Sequence, residues 1–63
     1  MAAFATFAAV ETRCYAQIAA GTWINAFASR QPDGTLAARI QRPMSPTNPD
    51  YGAWADVTDD ATD

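Results

Sequence analysis

Histidine and lysine are absent from this chain of 63 residues, and cysteine occurs once, at Cys14. A single cysteine excludes an internal disulfide, and the lack of histidine excludes the Cys/His zinc sites that stabilise many small domains. Cys14 also has no imidazole to act as its base, which excludes a Cys/His nucleophile. We therefore expect no catalytic residues, no metal ligands and no cofactor, and we expect that the chain is not an enzyme.

Basic charge is scarce as well. Four arginines are the only basic residues, and the formal net charge is −3. Such a chain cannot neutralise a run of phosphates, so we expect no nucleic-acid partner. The apolar start MAAFATFAAV lacks the basic segment of a signal peptide, and the uncharged run from Cys14 to Ser29 is shorter than the ~20 apolar residues that a bilayer helix needs. We predict a soluble chain, not secreted by a signal peptide, with no membrane partner.

Proline and acidic residues are rare up to Arg42 and concentrated after it. This change in composition predicts a small domain over residues 1–42 and an arm over residues 43–63. Pro43, Pro46 and Pro49 are spaced three apart, which places them on one edge of a polyproline II helix. The arm is therefore predicted to be extended and stiff.

The segment from Val10 to Ile18 alternates between apolar and polar residues, which predicts a half-buried strand over about residues 8–19. A helix stays an open alternative. At 100° per residue Phe4, Phe7, Val10, Cys14 and Ile18 form one stripe, and alanine favours helix.

The sequence QPDG, from Gln31 to Gly34, predicts a type I turn followed by a left-handed glycine, which is a common hairpin loop. The flanking strands are predicted over about residues 22–31 and 35–42. Counting outward from Gln31 opposite Thr35 places the apolar residues on one face. The resulting pairs are Ala28 with Ala38, Ala26 with Ile40, Phe27 with Arg39, and Asn25 with Gln41.

Together these patterns predict a small all-β fold. It is a three-stranded antiparallel meander over about residues 8–19, 22–31 and 35–42, followed by an extended Pro-rich C-terminal arm. The alternative is a set of short Ala-rich helices with the same arm, in which Thr35 caps a helix that ends before Pro43.

A chain of this length buries only a small core, and without disulfides or metals a protein partner is the remaining source of stability. We expect one face of the sheet to stay uncovered within the chain and to contact a neighbour. In the arm, apolar side chains recur every three residues among acids, as expected of anchors that dock in a groove. The predicted partner-binding residues are Ile24, Ala26, Ala28, Leu36, Ala38, Ile40, Tyr51, Trp54 and Val57.

These expectations favour a non-enzymatic structural subunit that binds and reinforces a larger assembly. The most concrete hypothesis is a small virion protein of a tailed bacteriophage, either a capsid decoration or cement protein or a tail component, which would bind a capsid or tail protein and further copies of itself. It rests on analogy of size and layout. One alternative is a small regulatory or adaptor module that binds a single host protein, and another is an accessory subunit of a multi-chain enzyme.

Overall fold

A computed structural model of the chain describes residues 3–60. Its elements are α1 (Phe7–Ala20), β1 (Asn25–Arg30), β2 (Leu36–Gln41) and β3 (Trp54–Val57). The strands form one antiparallel sheet in the order β1-β2-β3. The fold is therefore small and mixed α/β rather than all-β, and its sheet is a three-stranded meander.

The strand predicted over residues 8–19 is wrong, because residues 7–20 form helix α1. The helix begins after Thr6, whose hydroxyl accepts a hydrogen bond from the Ala9 N–H at 3.1 Å. It ends at Gly21, which has a left-handed φ of 82° and donates its N–H to the Ile18 carbonyl at 3.1 Å. An N-cap and a C-terminal glycine enclose a segment rich in alanine, and together these helix signals outweigh the weak polar alternation.

The hairpin between β1 and β2 is confirmed, with the predicted register. The Gly34 N–H donates to the Gln31 carbonyl at 2.9 Å, and the Gln31 N–H donates to the Thr35 carbonyl at 2.8 Å. Gly34 has a φ of 88°, as this loop requires. The Asp33 carboxylate accepts hydrogen bonds from the hydroxyl and the N–H of Thr35 at 2.6 and 3.0 Å, and these bonds lower the pKa of Asp33.

The extended Pro-rich arm is not confirmed. Consecutive turns replace it, in which the Asn48 N–H donates to the Ser45 carbonyl at 2.9 Å and the Tyr51 N–H to the Asn48 carbonyl at 3.0 Å. Pro46 and Pro49 each occupy the second position of one of these turns, where the fixed φ of proline fits, and Ser45 and Asn48 occupy the favoured first position. The chain thus folds back on itself.

A third turn completes the reversal and leads into β3. The Ala53 N–H donates to the Asp50 carbonyl at 2.9 Å, and the intervening Gly52 has a φ of 78°. The Gln41 side chain donates to the Gly52 carbonyl at 2.6 Å. Strand β3 then pairs with β2, from Trp54 opposite Gln41 to Val57 opposite Ala38. The division of the chain into residues 1–42 and 43–63 stays a prediction, although four residues of the second part lie in the sheet.

Helix α1 covers one face of the sheet, here called the inner face, and the core lies between them. The expectation that this face stays uncovered within the chain is wrong, because the predicted first strand is instead the helix that covers it. Val10 and Ile40 are fully buried, and Trp23, in the loop after α1, is the largest buried side chain. The core residues are Phe4, Val10, Cys14, Trp23, Leu36, Ala38, Ile40 and Val57.

Candidate protein-binding surface

The nine residues predicted to bind a partner fall into two groups. One group lies on the inner face, where it is buried or partly buried within the chain: Ala26, Ala28, Leu36, Ala38, Ile40 and Val57. The other group is accessible: Ile24 is 52% exposed, Tyr51 58% and Trp54 43%. The candidate surface is therefore built around the second group.

The sheet face turned away from α1, here called the outer face, carries a pair of aromatic rings. The rings of Phe27 in β1 and Trp54 in β3 meet edge to face, with 5.3 Å between centroids. Phe27 pairs with Arg39, and Trp54 pairs with Gln41, which lies two residues after Arg39 in β2. Since every second residue of a strand lies on the same face, Phe27 and Trp54 share the outer face. Both side chains remain about half exposed, at 50% and 43%. We call Phe27 and Trp54 the aromatic patch.

Polar side chains border the aromatic patch. Arg39 Nε lies 3.8 Å from a carboxylate oxygen of Asp56 on the neighbouring strand, and the Asn25 side chain donates to the Gln41 side chain at 2.7 Å. An apolar centre with a polar margin is the usual anatomy of a protein-binding surface.

Strand β3 is held in place from the other end of the chain. Arg13 in α1 donates to the Asp59 carbonyl at 2.9 Å and lies 3.3 Å from its carboxylate, and its guanidinium lies 5.7 Å from the centroid of the Phe4 ring. Phe4 forms an antiparallel bridge with Leu36. The contacts of Arg13 hold the segment just after β3, and Trp54 itself lies in β3, which pairs with β2. Asp56 and Asp59 both have partners within the chain.

A second candidate surface is a groove between α1 and β1. It has a volume of about 300 Å³ and is lined by Glu11, Cys14, Tyr15, Ile18 and the segment 26–28. Tyr15 is 73% exposed and Ile18 is 42% exposed at its margin. The groove is thus mostly apolar, and Glu11 is its charged lining residue.

The groove contains the single cysteine of the chain. Cys14 is buried, and burial, followed by the nearby negative charge of Glu11, raises the pKa of its thiol. The thiol therefore stays protonated and behaves as a small apolar residue. Residues 3–60 hold no group of acidic, cysteine or histidine side chains that could bind a metal ion.

No protein family, no curated protein and no solved structure matches this chain. Within the part of the chain that the structure describes, no helix is both long and apolar enough to cross a membrane.

Two residues of importance were missed by the sequence analysis. Phe27 forms half of the aromatic patch, and the predicted register already placed it on the face opposite Ala26 and Ala28, which was the available signal. Trp23 was not singled out at all, although it is 1% exposed. Its Nε1 has no hydrogen-bond partner among the described residues. Nothing in the local pattern marks Trp23 as core, because it lies in a loop between helix and strand.

Proposed function

We propose that this chain is a non-enzymatic structural subunit that binds a protein of a larger assembly through its outer face. The observation that carries the proposal is the aromatic patch. Phe27 and Trp54 each keep about half of their surface accessible, whereas the alanines of the inner face are buried or partly buried. Large aromatic residues are the commonest anchors of protein interfaces.

The arrangement around the patch supports the same proposal. The patch lies on a regular sheet rather than on a loop, so little conformational entropy is lost when a partner binds. Its margin offers an ion pair and an amide pair for hydrogen bonds across an interface. The most concrete form of the proposal is a capsid decoration, cement or tail protein of a tailed bacteriophage. That form is supported only by analogy of size with such proteins.

The experiment compares how variants enter the native assembly. The tagged chain is expressed in its own source cells or phage, and the fraction that migrates with a large complex or particle on a density gradient is measured for wild type, Trp54→Ala and Asp56→Asn. Phe7→Ala is the matched control, because Phe7 is a 51% exposed aromatic of α1, remote from the outer face.

Loss of an anchor such as Trp54 typically costs ~2 kcal/mol or more, which is about 30-fold in affinity. Loss of an exposed ion pair costs only ~0–1 kcal/mol. We therefore expect Trp54→Ala to be largely lost from the gradient fraction that contains the assembly. Asp56→Asn and Phe7→Ala should migrate with the assembly to nearly the same extent as wild type. Equal migration of Trp54→Ala and wild type with the complex would refute docking through the patch. Migration of wild type with one small protein alone would favour the adaptor alternative.

A further inference from the structure

Strand β1 is an edge of the sheet. It pairs with β2 on one side, and no strand of the described residues lies on its other side. In an antiparallel pair of strands, hydrogen-bonded residue pairs alternate with non-hydrogen-bonded ones. Gln31 is hydrogen-bonded to Thr35, so counting back along β1 the backbone groups of residues 29 and 27 also bond to β2. The N–H and C=O groups of Ala26 and Ala28 therefore point away from the sheet. Such a row of unpaired groups is a template for another strand.

Up to Ser29 this edge lacks the features that usually prevent strand pairing, and the one charged residue of β1, Arg30, is its last residue. The segment 24–29 contains no charged residue and no proline, and no residue in it has a positive φ. The opposite edge differs, because β3 has only four residues, carries Asp56 and leads into Asp59 and Asp60. Short, charged edges of that kind are protected against pairing. The contrast identifies β1 as the edge that is free to pair.

Apolar side chains flank β1 on both faces. Phe27 lies on the outer face, 50% exposed, and on the other side Tyr15 and Ile18 border the groove between α1 and β1. Ile24, 52% exposed, lies just before the strand. An added strand would cover part of all four side chains at once. We propose that the occupant is β1 of a second copy of this chain, paired antiparallel across a two-fold axis into a continuous six-stranded sheet.

Symmetry and the ladder restrict the register. Only even-numbered residues of β1 have backbone groups that point outward, so the symmetric registers centred on Ala26 and Ala28 pair Ala26 of one copy with Ala28 of the other, Ala28 with its own counterpart, or Ala26 with its own counterpart. The first register centres the pairing on Phe27 and places it opposite Phe27 of the second copy in a non-hydrogen-bonded position, where side chains approach most closely. It also extends the contact of Phe27 with Trp54 into a row of four rings. We infer this register.

The size of the surface sets the strength of the dimer. Phe27, Tyr15, Ile18 and Ile24 each have accessible area on the order of 100 Å² to cover. Their sum is roughly half of the ~800 Å² that each partner contributes to a standard interface. We expect a dimer that dissociates at micromolar concentration. The inference deepens the proposed function, on which it rests, by naming a second copy as one partner, while the aromatic rings of Trp54 stay accessible at either end of the row.

The first test uses proline at the edge. Sedimentation velocity is measured from low to high micromolar concentration for wild type, Ala28→Pro and the control Ala28→Ser, which keeps the N–H. Proline removes an N–H that points outward and leaves the bonds to β2 in place. We expect Ala28→Pro to weaken dimerisation about tenfold or more, since symmetry removes two hydrogen bonds, with an unchanged circular dichroism spectrum. A wild type that stays monomeric throughout, or a dimer that Ala28→Pro does not weaken, overturns the proposal.

The second test determines the register, and it is informative even where Ala28→Pro fails to fold. In a Cys14→Ala background, Phe27→Cys is expected to form a disulfide-linked dimer on mild oxidation, because a non-hydrogen-bonded pair has a Cα separation of ~4.5 Å. Asn25→Cys and Ser29→Cys should each stay monomeric and should cross-link only when mixed. If Phe27→Cys formed no cross-link between its own copies and instead cross-linked with Ser29→Cys, the inferred register would be wrong. The Trp54→Ala experiment does not depend on this edge, so either proposal can fail alone.

Discussion

Gly34 allows the backbone of the hairpin to be tested without any change in packing. Its φ is 88°, and a Cβ added there would have no heavy atom within 4 Å. A substitution at this position therefore changes only backbone strain and the entropy of the unfolded chain. An L-residue in the left-handed region costs ~1–2 kcal/mol, whereas a D-residue fits it.

The informative comparison is between L-alanine and D-alanine at position 34, in two otherwise identical synthetic chains. Both restrict the unfolded chain equally, an effect of ~0.4–1 kcal/mol, so this contribution cancels. The difference in the free energy of unfolding is then the strain alone, and we expect the D-Ala chain to be more stable by ~1–2 kcal/mol. Gly34→Val should destabilise the protein by ~1 kcal/mol or more relative to glycine, because a β-branched residue tolerates a positive φ poorly.

Urea unfolding, followed by the fluorescence of the buried Trp23 together with the partly exposed Trp54, measures this difference. For a chain of this size 1 kcal/mol also moves the thermal midpoint by ~4–8 °C, which is readily detected. Equal midpoints for the two chains, or a more stable L-Ala chain, would refute the argument that this hairpin depends on a left-handed residue at position 34.

Three further predictions concern the helix, the third strand and the thiol. Thr6→Ala should lower the free energy of unfolding by ~1 kcal/mol through loss of the N-cap, with Thr6→Asp close to wild type; equal urea midpoints for all three would contradict the cap. A chain ending at Asn48 should lose cooperative thermal unfolding, because Val57 is a core residue; a cooperative transition would instead support an independent domain over residues 1–42. Wild type should lose stability relative to Cys14→Ala as the pH rises above ~8.5, the usual thiol pKa, because the unfolded thiol ionises while burial keeps the folded one protonated; parallel pH profiles in urea unfolding would show that the thiol is not shielded.

The hairpin was predictable because its determinants are local. Pro32, Asp33 and Gly34 fix the turn, and the turn fixes every pair of the two strands. Helix α1 was not predicted first, because the segment from Val10 to Ile18 satisfies both a period of two and a helical stripe. The deciding signals lay outside that segment, in a threonine before it and a glycine after it.

The prediction of an extended Pro-rich arm failed for a similar reason. A spacing of three fits a polyproline II helix, and it equally fits consecutive turns with proline in the second position. Ser45 and Asn48, directly before Pro46 and Pro49, favour turns, and the Asn48 side chain accepts a hydrogen bond from the Asp50 N–H at 2.8 Å. The pairing of β3 with β2 is non-local, so no pattern within β3 could reveal it.

The candidate surface was predicted in part. Ile24, Tyr51 and Trp54 were selected and are accessible, but the alanines of the inner face were selected because the covering helix was read as a strand. Phe27 was passed over for the same reason, since a sheet expected to bind through its alanine face leaves the other face without a role. The error in one element thus displaced the expected binding face from one side of the sheet to the other.

The position of β2 has a consequence for amide hydrogen exchange. This strand lies between β1 and β3, bridges to Phe4 and contributes the fully buried Ala38 and Ile40. Its amides therefore have no route to solvent short of global unfolding, and their exchange should report the full free energy of unfolding. The outward amides of Ala26 and Ala28 should exchange quickly in the monomer and become protected as the concentration rises. Exchange of β2 at the rate of the β1 edge would show that the sheet opens locally through its centre.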